Sequence, residues 1–220
     1  MPLAILFDLD GTLLDTLELL LDSMRHAFAE RDGRAPTTGE WIAGIGTPLR
    51  MQLRPFAESD EEVEQIVTRY RGYQLAHHDR LLKCYDDVVA TLDLLHSRGH
   101  PLGVVTSKMN DIMHRGLEHV GIGHLMSVAV GCDSCTRHKP DPEPVLVALK
   151  ELRYEPHEAV YVGDSPHDMH AGRAAGVITI AALWGLFTRE QLEEARPDYW
   201  IERITELPPL IEQLAISGSG

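Results

Sequence analysis

The stretch Leu3-Ala4-Ile5-Leu6-Phe7-Asp8-Leu9-Asp10-Gly11-Thr12 decides the reading of the fold. Its first five residues are apolar without alternation, the pattern of a strand covered on both faces, as in a parallel sheet. Asp8 and Asp10 follow at a spacing that puts both carboxylates on one side of an extended chain. Working outward, the design recurs. Residues 102–105 are apolar and run into Thr106, residues 159–162 run into Gly163-Asp164, and 128–130 and 177–181 are two further runs. Helical stripes lie between them. Val88, Val89, Leu92 and Leu95 share a face ahead of a stop at Gly99. Ile112, Met113, Leu117 and Val120 precede Gly121, and Val145, Leu146, Leu149 and Leu152 follow Pro142 and Pro144. Strands alternating with helices predict βαβ units and an α/β fold with a doubly wound parallel sheet.

Residues 16–80 break the alternation. Leu17, Leu20, Leu21, Met24 and Phe28 fall at helical spacing, as do Val63, Ile66, Val67, Tyr70 and Tyr73, and no strand pattern intervenes. The expected organisation is an α/β core from residues 1–15 and 81–216, an inserted all-helical cap from 16–80 with hinges near 14–16 and 81–85, and a flexible tail at 217–220.

The chain of 220 residues has a formal net charge of -14. That balance argues against nucleic acid or an anionic membrane as partner, since both need a basic surface. A small anionic substrate remains open, because local positive charge or a bound cation suffices for it. The apolar run at 3–7 is too short for a secretory signal or for a span of roughly 20 residues. The three cysteines suggest no disulfide framework, so a cytoplasmic location is expected.

Ligands in open α/β sheets bind beyond the carboxyl ends of the strands. The residues that follow the apolar runs are Asp8 and Asp10, Thr106 with Ser107, and Asp164 with Asp168 one helical turn on. Lys139 sits in the proline-stiffened His138-Lys139-Pro140-Asp141-Pro142. Hard carboxylate oxygens suit Mg²⁺, which also takes phosphate oxygens. One carboxylate can attack phosphorus, a second can protonate the leaving oxygen and then activate water, and a lysine with a threonine hydroxyl can hold the non-bridging oxygens.

These segments resemble the haloacid dehalogenase superfamily. Asp8-Leu9-Asp10-Gly11-Thr12-Leu13 looks like its first motif and Val104-Val105-Thr106-Ser107 like its second. Lys139 with Pro140-Asp141-Pro142 looks like the third, and Gly163-Asp164-Ser165-Pro166-His167-Asp168 like the fourth. The likeness runs from about residue 3 to about 205, and members with a helical cap after the first motif match the 16–80 insertion. Gly163-Asp164-Ser165 and Ala182-Leu183-Trp184-Gly185 are most similar to phosphoglycolate phosphatases and pyrophosphatase-like relatives. The resemblance implies a Rossmann-like core and Mg²⁺ held by Asp8, Asp10 (through its carbonyl), Asp164 and Asp168, the last directly or through other ligands. It implies Asp8 as nucleophile, Asp10 as general acid and base, and Thr106 and Lys139 on the phosphoryl group. Gly11, Ser107, Gly46 and Arg50 complete the expected substrate contacts.

Two departures narrow this. Asp10 is an acid where the dehalogenating branch lacks one, and the first lysine, Lys83, lies beyond the cap, against a phosphonate-cleaving Schiff base. The expected activity is a Mg²⁺-dependent phosphatase acting through an aspartyl-phosphate on a small phosphorylated metabolite, phosphoglycolate-like with a second anionic group, in a monomer or homodimer. An inorganic pyrophosphatase and a sugar-phosphate phosphomutase are the rivals. A non-catalytic binding protein would be expected to lose a motif acid, and none is lost.

Other features read more plainly. Cys132 and Cys135 form half of a zinc site at most and are taken as small loop residues. His77-His78 is taken as a solvated helix end, and Trp184 and Trp200 as packing residues. Two readings stand for Gly44-Ile45-Gly46-Thr47-Pro48-Leu49-Arg50: a loop facing the ligand with Arg50 on an anionic group, or a connection between cap helices with Arg50 solvated.

Overall fold

The strands predicted at the five apolar runs, together with a sixth that no apolar run marks, form one sheet in the computed structural model, which describes residues 2–29 and 31–217. In chain order they are β1 (Ala4–Phe7), then β4 (Leu102–Val105), β5 (Met126–Val130), β6 (Ala159–Gly163), β7 (Ile178–Ala182) and β8 (Tyr199–Ile201), with β2 (Leu14–Asp15) and β3 (Lys83–Cys84) outside that sheet. The six strands are parallel in the order β5-β4-β1-β6-β7-β8. The helices are α1 (Leu17–Phe28), α2 (Thr38–Gly44), α3 (Leu49–Leu53), α4 (Asp60–Leu81), α5 (Val88–Ser97), α6 (Asn110–His119), α7 (Glu143–Leu152), α8 (Pro166–Ala175), α9 (Arg189–Glu193) and α10 (Leu207–Ser217). Among the described residues, no helix is long and apolar enough to cross a membrane.

Alternation along the pleat sends the core strands into two separate packing layers. Ile5, Phe7, Leu102, Val104, Val160 and Val162 join Leu92, Leu95, Met113 and Leu117 on one face, while Ala4, Leu6, Val105 and Tyr161 join Val145, Leu149 and Ala171 on the other. Both faces are covered, which is why these runs show no polar alternation. The connection from β1 runs to β4 on one side, and the chain later returns to β6 on the other. That reversal leaves the carboxyl ends of β4, β1 and β6 adjacent, the position where such sheets bind ligands. Register fixes the alignment: Phe7 pairs with Val104 on one side and Val162 on the other.

The helices between β1 and β4 bury their own apolar set, including Leu20, Met24, Phe28, Trp41, Val63, Ile66 and Tyr70. The two segments read as hinges pair with each other: Leu14 with Cys84 and Asp15 with Lys83, antiparallel, at the foot of this helical layer.

Some readings need correction. Val89 and Leu146, placed in buried stripes, are each 41% exposed. Each lies about 100° around its helix from a buried neighbour, Val88 or Val145, and α5 and α7 bury only the narrower arc that meets the sheet. His78 is not solvated but fully buried, with Nδ1 2.7 Å from Asp79. It lies four residues past Gln74 and eight past Tyr70, on the face of α4 that stays covered. Ser217 ends α10; the rest of the expected tail lies outside the described residues.

Candidate active site

Asp8 leaves β1 as its amide donates to Val162 O at 2.9 Å, so the nucleophile expected from the sequence is anchored by the neighbouring strand. The chain then turns sharply. The amides of Leu13 and Leu14 both donate to Leu9 O, at 3.0 and 2.9 Å, and Leu9, Leu13 and Leu14 are buried beneath. Gly11 sits at φ +85, a left-handed conformation that glycine adopts without steric cost, and a side chain there would also overlap the Asp164 carboxylate.

Lys139 is placed by a loop rather than by a strand. Glu143, the first residue of α7, accepts from the amides of Thr136 and Arg137 at 3.0 and 2.9 Å, and Asp141 donates from its amide to His138 O at 2.9 Å. The result carries the Lys139 ammonium into the interior at 1% exposure. There it donates to Asp8 Oδ1 at 2.8 Å and to Asp168 Oδ1 at 2.6 Å. Burial disfavours its charge, but Asp168 and Asp8 outweigh burial and hold its pKa above the usual lysine value.

Asp164 and Asp168 are held differently. Ser165 caps α8 reciprocally with Asp168, and Asp168 Oδ2 accepts from the Ser165 amide at 3.1 Å and its hydroxyl at 2.6 Å. Asp168 Oδ1 accepts from Lys139 and lies 3.0 Å from the Tyr161 hydroxyl. Its two oxygens thus receive three hydrogen bonds from Lys139 and Ser165, with the Tyr161 hydroxyl, which has a single proton and is also 3.0 Å from Val105 O, beside them. Asp164 receives two, from Thr12 Oγ1 at 3.0 Å and the Leu186 amide at 2.7 Å. Asp8 Oδ2 receives none among the described residues.

Asp8, Asp164 and Asp168 are all buried, and one oxygen from each lies within 4.8 Å of the others. Burial, then the Asp168 charge, raises Asp8 to about 7 against the opposing pull of Lys139. Asp164 lies well above the usual carboxylate range, through burial and then through Asp8 and Asp168. Of three buried carboxylates only Asp8 and Asp168 share the Lys139 ammonium, and Asp8 and Asp164 offer hard oxygens with unused lone pairs. This donor set fits a divalent cation of the Mg²⁺ type.

A cavity of about 80 Å³ opens above this cluster, between the sheet edge and the inserted helices. Asp8, Asp10, Thr106 and Ser107 line its floor, and Gly46 lies on the opposite wall. Thr106 is anchored by its amide to Val130 O at 2.9 Å, and its hydroxyl accepts from the Lys108 amide at 3.2 Å, so it closes a local turn rather than capping α6. The Ser107 hydroxyl donates to Gly46 O at 2.6 Å, tying the inserted loop to the core. The Asp10 carboxylate stands apart from the other three acids and is paired with Lys108.

Three residues expected on the ligand do not line the cavity: Gly11, Arg50, and Lys139, whose ammonium is held by Asp8 and Asp168. Gly11 does not line the cavity; it packs against Asp164. Arg50 is exposed, is engaged by Glu64 through two of its nitrogens, one contact being 2.8 Å, and does not line the cavity. The residues that sequence reasoning passed over are Lys108, Tyr161, Thr12, and Tyr70, Arg71 and Gln74 on α4. Lys108 carries a usable signal, as a cation two residues past the strand-end Thr106. Gln74 carries another, four residues past Tyr70 on a helical stripe. Tyr161, inside an apolar run, carries none.

Gly185 closes the far side of Asp164, where any side chain would overlap the carboxylate. Gly185→Ala is therefore expected to destabilise the protein by about 1–3 kcal/mol and to lower turnover by displacing Asp164. Thermal denaturation alongside an activity measurement checks both; an unchanged melting temperature would show that the loop yields without strain.

A model of the haloacid dehalogenase-like hydrolases matches residues 5–182. Pyrophosphatase PpaX of Bacillus velezensis is 37% identical over 204 residues, covering 93% of this chain and 94% of that protein. A haloacid dehalogenase-like hydrolase from Streptococcus pneumoniae superposes with a TM-score of 0.83 at 25% identity, covering 95% of this chain and 98% of that one. A predicted phosphoglycolate phosphatase from Haemophilus somnus superposes with a TM-score of 0.84 at 23% identity, covering 95% and 97%, a likeness of fold.

Proposed function

The chain belongs to the haloacid dehalogenase-like hydrolase family, and from that premise we propose that it is a Mg²⁺-dependent phosphatase of small phosphate monoesters, carrying the phosphoryl group transiently on Asp8. The observation that carries this reading is the arrangement around Asp8: one oxygen held by Lys139, the other without a hydrogen bond among the described residues, in a residue that lines the cavity.

Asp8 Oδ2 attacks phosphorus while Lys139 keeps Oδ1 fixed, so the nucleophile arrives in one orientation. The Thr106 hydroxyl donates to a non-bridging phosphoryl oxygen. Asp10 in its protonated form gives its proton to the leaving oxygen, and the carboxylate so formed takes a proton from the water that hydrolyses the aspartyl-phosphate. Lys108 stabilises that carboxylate between the two steps. Asp8, Asp164 and the Asp10 carbonyl would hold Mg²⁺, with Asp168 outside its shell because its oxygens already accept from Lys139 and Ser165. When bound, the ion supplies positive charge that offsets the carboxylates and polarises the phosphoryl oxygens. The helices of the 16–80 insertion act as a cap over the cavity, with Ser107 and Gly46 as one closing contact, and exclude bulk water during transfer.

The leading substrate is phosphoglycolate-like. A second reading, hydrolysis of inorganic pyrophosphate, is favoured by the 37% identity to a protein named as a pyrophosphatase. A phosphate-release screen over small phosphate esters and pyrophosphate tests both. Release of orthophosphate is expected with Mg²⁺ and is expected to disappear on adding EDTA and return with excess Mg²⁺. Interconversion of hexose phosphates without free phosphate would replace the hydrolase by a phosphomutase.

A further inference from the structure

The cavity that Asp8 lines is also lined by three polar residues of α4, Tyr70, Arg71 and Gln74. Tyr70 and Gln74 are one helical turn apart on the same face, and Arg71 is the next position round. Tyr70 and Gln74 are 3% and 4% exposed, yet neither side chain makes a hydrogen bond among the described residues. Their polar atoms are also not among those shut away from solvent without a partner, so both keep contact with the cavity. Buried polar groups are ordinarily satisfied, and unused donors aimed at a cavity point to a ligand.

Arg71 is the charged member. Its one hydrogen bond is Nη2 to the Met109 sulfur at 2.7 Å, a weak acceptor, and it forms no ion pair among the described residues. Other cations nearby are committed: Lys139 to Asp8 and Asp168, Lys108 to Asp10, and Arg50 to Glu64. Glu64, whose carboxylate feels the Arg71 charge, is the same acid that Arg50 occupies. In a chain with 34 acidic residues and a net charge of -14, a cavity-lining guanidinium without a carboxylate partner is unusual. The rest of the insertion's lining mixes apolar Leu20, Trp41, Ile45 and Leu49 with polar Thr47 and Gln52, and the volume is small.

We propose that Tyr70, Arg71 and Gln74 form a recognition subsite for a second anionic group on the leaving side of the substrate, with Arg71 supplying the charge. The inference rests on the phosphatase reading and adds to it the substrate class: small phosphates whose leaving group is itself anionic, either a carboxylate or a second phosphate. A planar guanidinium matches both by paired hydrogen bonds. Tyr70 remains a neutral donor, because burial and then the Asp10 charge push its phenol upward.

The test compares kcat/KM for pyrophosphate, phosphoglycolate and ethyl phosphate, all with Mg²⁺, in the wild type, Arg71→Met, Arg71→Lys and Gln74→Leu. The wild type is expected to prefer one or both doubly anionic substrates. Arg71→Met is expected to lower the ratio of doubly anionic to ethyl phosphate turnover by roughly 100-fold, largely through KM, with Arg71→Lys recovering part of it. Gln74→Leu, which leaves the charge in place, is expected to lower the same ratio by roughly 10-fold. Whichever of pyrophosphate and phosphoglycolate loses more identifies the anion that Arg71 receives. A wild type that turns over ethyl phosphate as well as the others overturns the inference while leaving the phosphatase reading intact, as does an unchanged ratio in the folded Arg71 variants. No phosphate from any of the three, or from a wider panel of esters, overturns the phosphatase reading, and the inference falls with it.

Discussion

Asp8→Asn is expected to lower turnover by roughly 10⁴-fold or more while raising the melting temperature of the metal-free protein. The first effect follows because an amide oxygen is a poor nucleophile and cannot form the acyl phosphate. The second follows from electrostatics alone. Asp8 is buried beside Asp168 and Asp164, and the Lys139 ammonium is shared between Asp8 and Asp168. Burial, with Asp168 next in weight, raises the Asp8 pKa from 3.8 to about 7. A carboxylic acid whose folded pKa exceeds its unfolded value binds more protons when folded, so stability falls as pH rises across that interval. Without metal, the wild type should lose stability between pH 3.8 and about 7, and the Asn variant should lack that component. Melting temperatures in EDTA across this range check the claim. A gap between the two proteins that fails to widen with pH would show that Asp8 is not strained by its neighbours. Activity retained in a folded Asn variant would exclude Asp8 as the nucleophile.

Lys139→Met should be the most destabilising single change in the site. The methionine keeps the shape of the stem but leaves Asp8 and Asp168 without their shared ammonium, at 3% and 0% exposure. Removing one partner from a buried charge cluster costs about 3–5 kcal/mol. Turnover should fall by roughly 10³-fold or more if, as proposed, the ammonium that holds Asp8 also stabilises charge on the phosphoryl group. Denaturant unfolding measures the first and phosphate release the second. Adding Asp168→Asn removes one of the stranded charges, so the double variant should regain stability over Lys139→Met without regaining turnover. If it regains none, the lysine acts through packing rather than charge.

Much of the sheet was legible because each buried strand is a local event. Five of the six strands coincide with continuous apolar runs, since a strand covered on both faces must be apolar at every position. The sixth, β8, escaped because it is three residues long and its Tyr199 is 39% exposed, so no run forms. The helical stripes were legible in period but not in width. Val89 and Leu146 fit the pattern, and only the geometry of packing on the sheet shows that the buried arc stops short of them.

The segment from Leu3 to Thr12 determined by itself a buried strand and the acids at its end; that Gly11 stands at a left-handed turn came from the structure. With the other strand ends that segment determined that Asp8, Thr106 and Asp164 share one edge, because strand-end position is a local property and parallel strands align their carboxyl ends. The tertiary structure alone decided which charges meet. Lys139 reaches Asp8 across 131 residues of chain, and Asp168, one turn into a helix, serves both its cap and that lysine. It also decided between Arg50 and Arg71. Both are arginines of the insertion, and nothing in their spacing says that one will be taken by Glu64 and the other left facing the cavity. Periodicity fixes which way a side chain points along its own element. What it points at is set by how helices and strands distant in sequence pack together, and that is not written in any local stretch.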